Sequence, residues 1–117
     1  MKQLVAERSA KWIDIGAAGD VPLRGARRIL ISGTPIAVFR TGDGALFAIV
    51  DRCPHKGGPL SQGIVHGRAV ACPLHNWTIS LETGEAMNGD SGCVRTLEAM
   101  EQGGRVRVDA SSLPGGG

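Results

Sequence analysis

Apolar and polar residues alternate along the chain in short runs, and turn residues separate the runs. This is the period-two pattern of half-buried strands, and no i, i+3, i+4 spacing persists long enough to predict a helix. Trp12-Ile13-Asp14-Ile15 alternates and stops at Gly16, and Ile29-Leu30-Ile31 is a short apolar run closed by Ser32-Gly33. Two longer runs, 35–40 and 45–50, flank Thr41-Gly42-Asp43-Gly44, whose residues suit a hairpin turn. The second of these runs is apolar on both faces, which predicts a central strand. Ala69-Val70-Ala71, Thr78-Ile79-Ser80-Leu81 and the run 94–100 are further candidates. Arg105-Val106-Arg107-Val108-Asp109 alternates cleanly, with Val inward and charge outward. Short strands at this spacing predict an all-β antiparallel sandwich or barrel.

Composition narrows the picture. A chain of 117 residues fits one domain, expected over 1–110, and the Ser/Pro/Gly segment 111–117 reads as a flexible tail. Eighteen glycines favour turns and loops over long helices. The chain has no Tyr, two Trp and two Phe, so the core must be built from Val, Ile, Leu and Ala. A net charge of +2 is too small to argue for a nucleic-acid partner or a membrane surface. The longest apolar run, 45–50, is far short of a membrane span, and the first twelve residues lack a signal-peptide core. These features predict a cytoplasmic protein. Three cysteines are an odd number, which excludes full disulfide pairing within the chain and turns attention to metal or redox chemistry.

The segment from Arg52 to Asn76 differs from the rest. It is rich in Gly, Pro, His and Cys, and reads as loops inserted into the β scaffold. Cys53-Pro54-His55 is followed after sixteen residues by Cys72-Pro73-Leu74-His75, giving C-x-H-x16-C-x2-H. Two thiolates and two imidazoles suit a tetrahedral zinc ion or a two-iron cluster with two Cys on one iron and two His on the other. Common zinc modules place both Cys together and both His together, whereas here the order alternates. Each loop therefore supplies one ligand of each kind, as a binuclear centre requires. Pro54 and Pro73 each follow a ligand Cys and stiffen its loop. Nearby backbone N–H groups could point at the sulfurs and tune the potential. His66 reads as a surface residue before Gly67, and Cys93 as a buried structural thiol. Arg24, Arg27 and Arg28 read as a solvated strand edge.

The stretch 53–86, CPHKGGPLSQGIVHGRAVACPLHNWTISLETGEA, resembles Rieske [2Fe–2S] domains. The scaffold from about Trp12 to Asp109 is similar in length and strand pattern to soluble Rieske ferredoxins. The resemblance implies a Rieske-type β-sandwich with a small loop-rich cluster-binding subdomain at about 51–77. It implies one [2Fe–2S] cluster per chain, with Cys53 and Cys72 as thiolate ligands of one iron. His55 and His75 would ligate the other, each leaving a ring nitrogen towards solvent as the electron exit. Their protonation would be coupled to redox state. Respiratory members carry an extra, disulfide-linked Cys in each cluster loop, and here Gly58 and Leu74 stand at those positions. Asn76 after His75 and the lack of Tyr remove hydroxyl donors to the sulfurs. A potential near the low end of the Rieske range, about −150 mV, is therefore expected.

Narrower segments, 75–77, 81–86 and 92–96, look like the small subunit of assimilatory NAD(P)H-dependent nitrite reductases. That resemblance implies a redox subunit, not catalytic alone, whose partner is a large subunit carrying flavin and sirohaem and reducing nitrite to ammonia. The alternatives are a ferredoxin feeding a ring-hydroxylating dioxygenase and a structural zinc module. Pro59 and Leu60 are expected to cap the cluster, and 88–92 to form a third covering loop. Arg52 and Lys56 flank the first ligand pair, where solvated charge is the commoner role and steering of an acidic partner the alternative.

Overall fold

The computed structural model describes residues 11–53, 58–73, 77–87, 92–111 and 113. Its strands form three sheets. The first has the order β1-β10-β9, built from β1 (Trp12–Ala17), β9 (Ala99–Gln102) and β10 (Arg105–Asp109). The second runs β2-β3-β4-β8, from β2 (Gly25–Ile31), β3 (Thr34–Arg40), β4 (Leu46–Val50) and β8 (Thr96–Leu97). The third, β5-β6-β7, comprises three-residue strands: β5 (Ile64–His66), β6 (Ala69–Ala71) and β7 (Thr78–Ser80). All paired strands are antiparallel. Single 3-10 turns at Ala18–Asp20 and Leu60–Gln62 complete the regular structure of the described residues. None of their helices is long and apolar enough to cross a membrane.

The second sheet separates two cores, and the pleat explains how. Successive side chains of a strand face opposite ways. Ile36 and Val38 of β3 face a core shared with Ile15, Val106 and Val108 of the first sheet. Ala37 and Phe39, between them, face a second core with Val65, Val70 and Ile79 of the third sheet. Ala48 and Ile49 of β4 divide in the same way. The run 45–50 is therefore apolar on both faces for the expected reason: β4 is central, with β3 and β8 on either side.

Several expectations change in the structure. The run 94–100 is two strands in two sheets, β8 and β9, separated by Glu98 alone. The Glu98 carbonyl accepts the Asp109 N–H at 2.9 Å, which holds the crossing point against β10. The inserted segment is not all loop, since β5 and β6 lie within it. Cys93 is exposed instead of buried, because the neighbouring Val94 takes the inward position against the second core. Leu113, assigned to the tail, is buried in the first core. Arg27 and Arg28 do lie on an edge strand, but both are paired: Arg27 with Asp20 at 3.2 Å and Arg28 with Asp51 at 2.9 Å.

Candidate metal centre

Cys53 and Cys72 stand nineteen positions apart in the chain, and the fold brings both into the second core. Neither is in a disulfide, and both have almost no exposure. Their surroundings are Phe39, Ile49, Leu60, Val70, Ile79 and Leu81, all apolar. Leu60, expected as a cap, is itself fully buried in this core, and Pro59 beside it is half-buried. Two cysteines outside any disulfide in one apolar core, each beginning a loop that carries a histidine in the sequence, fit the donor set of a thiolate-and-imidazole centre. His55, His75 and Lys56 lie outside the described residues, as do 88–91 of the expected third loop. Among the described residues, no three His, Cys, Asp or Glu side chains converge as a metal site.

Each cysteine closes its loop with its own backbone. The Cys53 N–H donates to the Gly58 carbonyl at 2.8 Å, and the Cys72 N–H donates to the Trp77 carbonyl at 2.6 Å. Each bond therefore joins residues five positions apart. Gly58 is buried at the neck of the first loop. Gly63 lies against β6, and a Cβ there would sit 2.2 Å from the Ala71 carbonyl oxygen, so only glycine allows this approach.

Two polar clusters support the loops. Asp51, with a fully buried side chain, accepts hydrogen bonds from Arg28 and Ser61. The sequence reading missed this residue; the sole signal was an acidic side chain two positions before a ligand Cys. The second cluster centres on Arg68, at the turn between β5 and β6. Its guanidinium bonds Asp43 at 2.7 Å and Glu82 at 3.0 Å, and lies 5.6 Å from the centre of the Phe47 ring. This ties the third sheet to the β3–β4 hairpin of the second. Hydrogen bonds from the Thr41 hydroxyl and from Arg68 hold the Asp43 carboxyl well below the usual carboxylate range. His66 is exposed at the end of β5, as expected, and Arg52 is exposed beside Cys53.

Comparison with known proteins gives consistent results. The family model described as "Rieske [2Fe-2S] domain" matches residues 11–98. The ferredoxin component of a naphthalene 1,2-dioxygenase system from Pseudomonas aeruginosa is 28% identical over 102 residues, covering 86% of this chain and 97% of that protein. A 4beta-methylsterol monooxygenase from Methylococcus capsulatus is 34% identical over 97 residues, 83% of this chain. The chain spans only 23% of that larger enzyme. Among solved structures, a protein described as the small subunit of an NADH-dependent nitrite reductase from Mycobacterium tuberculosis superposes with a TM-score of 0.79. It is 25% identical, and the match covers 86% of this chain and 95% of that one.

Proposed function

Because the chain belongs to the Rieske [2Fe–2S] domain family and is an electron-transfer protein with a Rieske-type cluster, we propose that it is the ferredoxin of a ring-hydroxylating oxygenase system. The observation that carries this reading is the match over 97% of the length of a dioxygenase ferredoxin component. Cys53 and Cys72 would hold one iron as thiolates, and His55 and His75 the other. When bound, the cluster would supply one-electron redox chemistry. The chain's own residues do the rest. The apolar side chains around Cys53 and Cys72 keep water from the sulfurs, and the paired loop closures fix the two cysteine backbones. The protein is one domain over 1–110, with the cluster held by about 51–77. It works in the cytoplasm and is not catalytic alone, and its partner is a redox protein.

A second reading is the small subunit of an NAD(P)H-dependent nitrite reductase. It is favoured by the segments 75–77, 81–86 and 92–96 and by the superposition on the M. tuberculosis protein. One experiment separates the two. The dithionite-reduced chain is mixed anaerobically with a Rieske oxygenase component, or with a sirohaem-containing nitrite reductase large subunit. Cluster reoxidation is followed by visible absorption. Rapid reoxidation by the oxygenase supports the ferredoxin; reoxidation only in the presence of the sirohaem subunit and nitrite supports the second reading. A redox titration should give a midpoint near the low end of the Rieske range, about −150 mV, and a strongly positive value would contradict the cluster environment described.

A further inference from the structure

The two cysteine loops are closed in different ways, and the difference points to a residue outside the ligand set. The second loop, 72–77, is the loop of the β6–β7 hairpin. Ala71 pairs with Thr78 in the ladder, and the Cys72–Trp77 bond continues it. Backbone pairing alone brings its ends together. Among the described residues the first loop has no such ladder. It leaves β4 of the second sheet at Val50, and the next strand, β5, belongs to the third. A backbone bond from Cys53 to Gly58 closes its neck.

A buried carboxylate supplies the remaining closure. One oxygen of Asp51 accepts the Ser61 N–H at 2.7 Å. The other accepts the Ser61 hydroxyl at 2.6 Å and Arg28 Nε at 2.9 Å. The Asp51 N–H donates to the Pro35 carbonyl at 2.9 Å. Asp51 lies two residues before Cys53 and Ser61 three residues after Gly58, so the carboxylate clamps both ends of the first loop. Arg28 and Pro35 anchor that clamp to β2 and β3. Charge-assisted bonds of this kind are the strong ones, and the Asp51 side chain that accepts them is fully buried, so water does not readily replace them.

We propose that Asp51 is a positioning residue for the cluster, holding the first ligand loop, and thus Cys53, in register with the hairpin loop of Cys72. The inference rests on the ligand reading above. Its function is to fix geometry, so it should govern how long the cluster is retained and the potential at which it is reduced.

The full chain, reconstituted anaerobically with iron and sulfide, tests this. Three quantities are read: the half-time of loss of visible absorption in EDTA, the midpoint potential with the EPR spectrum, and the melting temperature of the cluster-free chain. Asp51→Asn should shorten the half-time by roughly tenfold, the scale of one charge-assisted bond, and shift both the potential and the EPR spectrum. Ser61→Ala should shorten the half-time less, and Ser61→Thr, which keeps the hydroxyl, should restore it. Val106→Ala, in the first core, controls for loss of stability at a distance and should lower the melting temperature while leaving the half-time and potential unchanged. The proposal is overturned if Asp51→Asn keeps the wild-type half-time, potential and spectrum. It is also overturned if Val106→Ala shortens the half-time as much for an equal fall in melting temperature. Should Asp51→Asn fail to fold, the Ser61→Ala and Ser61→Thr pair decides, and equal half-times for the two reject the proposal. A wild-type chain with no cluster spectrum would instead reject the ligand reading.

Discussion

The two cysteine loops share one bond pattern and differ in what holds them. Both cysteines donate their N–H to a carbonyl five residues on. One loop then inherits its closure from a hairpin ladder; the other depends on a carboxylate whose partners lie 10 and 23 residues away. A ladder is local and renews itself with each strand pair. A side-chain clamp is non-local, and loss of one member weakens the others. The pair thus contains one loop robust to single substitutions and one that is vulnerable to them.

The largest expected effect ignores this difference and tests whether both loops serve one centre. Cys53→Ser and Cys72→Ser should each abolish the visible spectrum of the reconstituted protein. Retention of the spectrum by either variant would break the equivalence of the loops. Next in size is Gly63→Ala, where the new methyl group meets the Ala71 carbonyl. It should cost about 1–3 kcal/mol in denaturant unfolding, because overpacking there forces the backbone after the first loop away from β6. Pro73→Ala, in the exposed part of the hairpin loop, should cost only about 0.4–1 kcal/mol, acting through the greater freedom of the unfolded chain. Its midpoint potential should stay at the wild-type value; a shift comparable to that of Asp51→Asn would erase the contrast between the loops.

The smallest effect concerns acid. The Asp43 carboxyl titrates lower in the folded chain than in the unfolded one, because Thr41 and Arg68 bond its charged form. Its contribution is therefore complete above the ordinary carboxylate pKa of about 4 and is lost as pH falls towards the depressed folded value. Melting temperature measured down through this range should fall less steeply for Asp43→Asn than for the wild type. Parallel curves would show that the tie between the third sheet and the β3–β4 hairpin carries no net stability.

How much of this was legible in the sequence follows from the range of the interactions involved. β6 and β10 coincide with their sequence patterns residue for residue, since Ala69-Val70-Ala71 and the Arg/Val alternation are local signals. β5 escaped because three residues, Ile64-Val65-His66, give too short an alternation to register. The break at Glu98 escaped because a change of sheet leaves no mark on period-two hydrophobicity. Cys53 and Cys72 were legible from spacing, and the structure places both in one buried core. Asp51 was not: a carboxylate reads as a surface residue until Arg28 and Ser61 are folded against it. Cys93 was misjudged for the related reason that burial follows the neighbour, Val94, that wins the inward position.

The passage through Glu98 has a mechanical consequence. A single residue bridges at most about 3.6 Å of chain, so β8 and β9 share a tether with no slack. The first and second sheets cannot part at this point without unpairing β8 or β9. Opening of either sheet alone is therefore suppressed, and amide protons in β3 and β10 should exchange with solvent only through the same whole-molecule event.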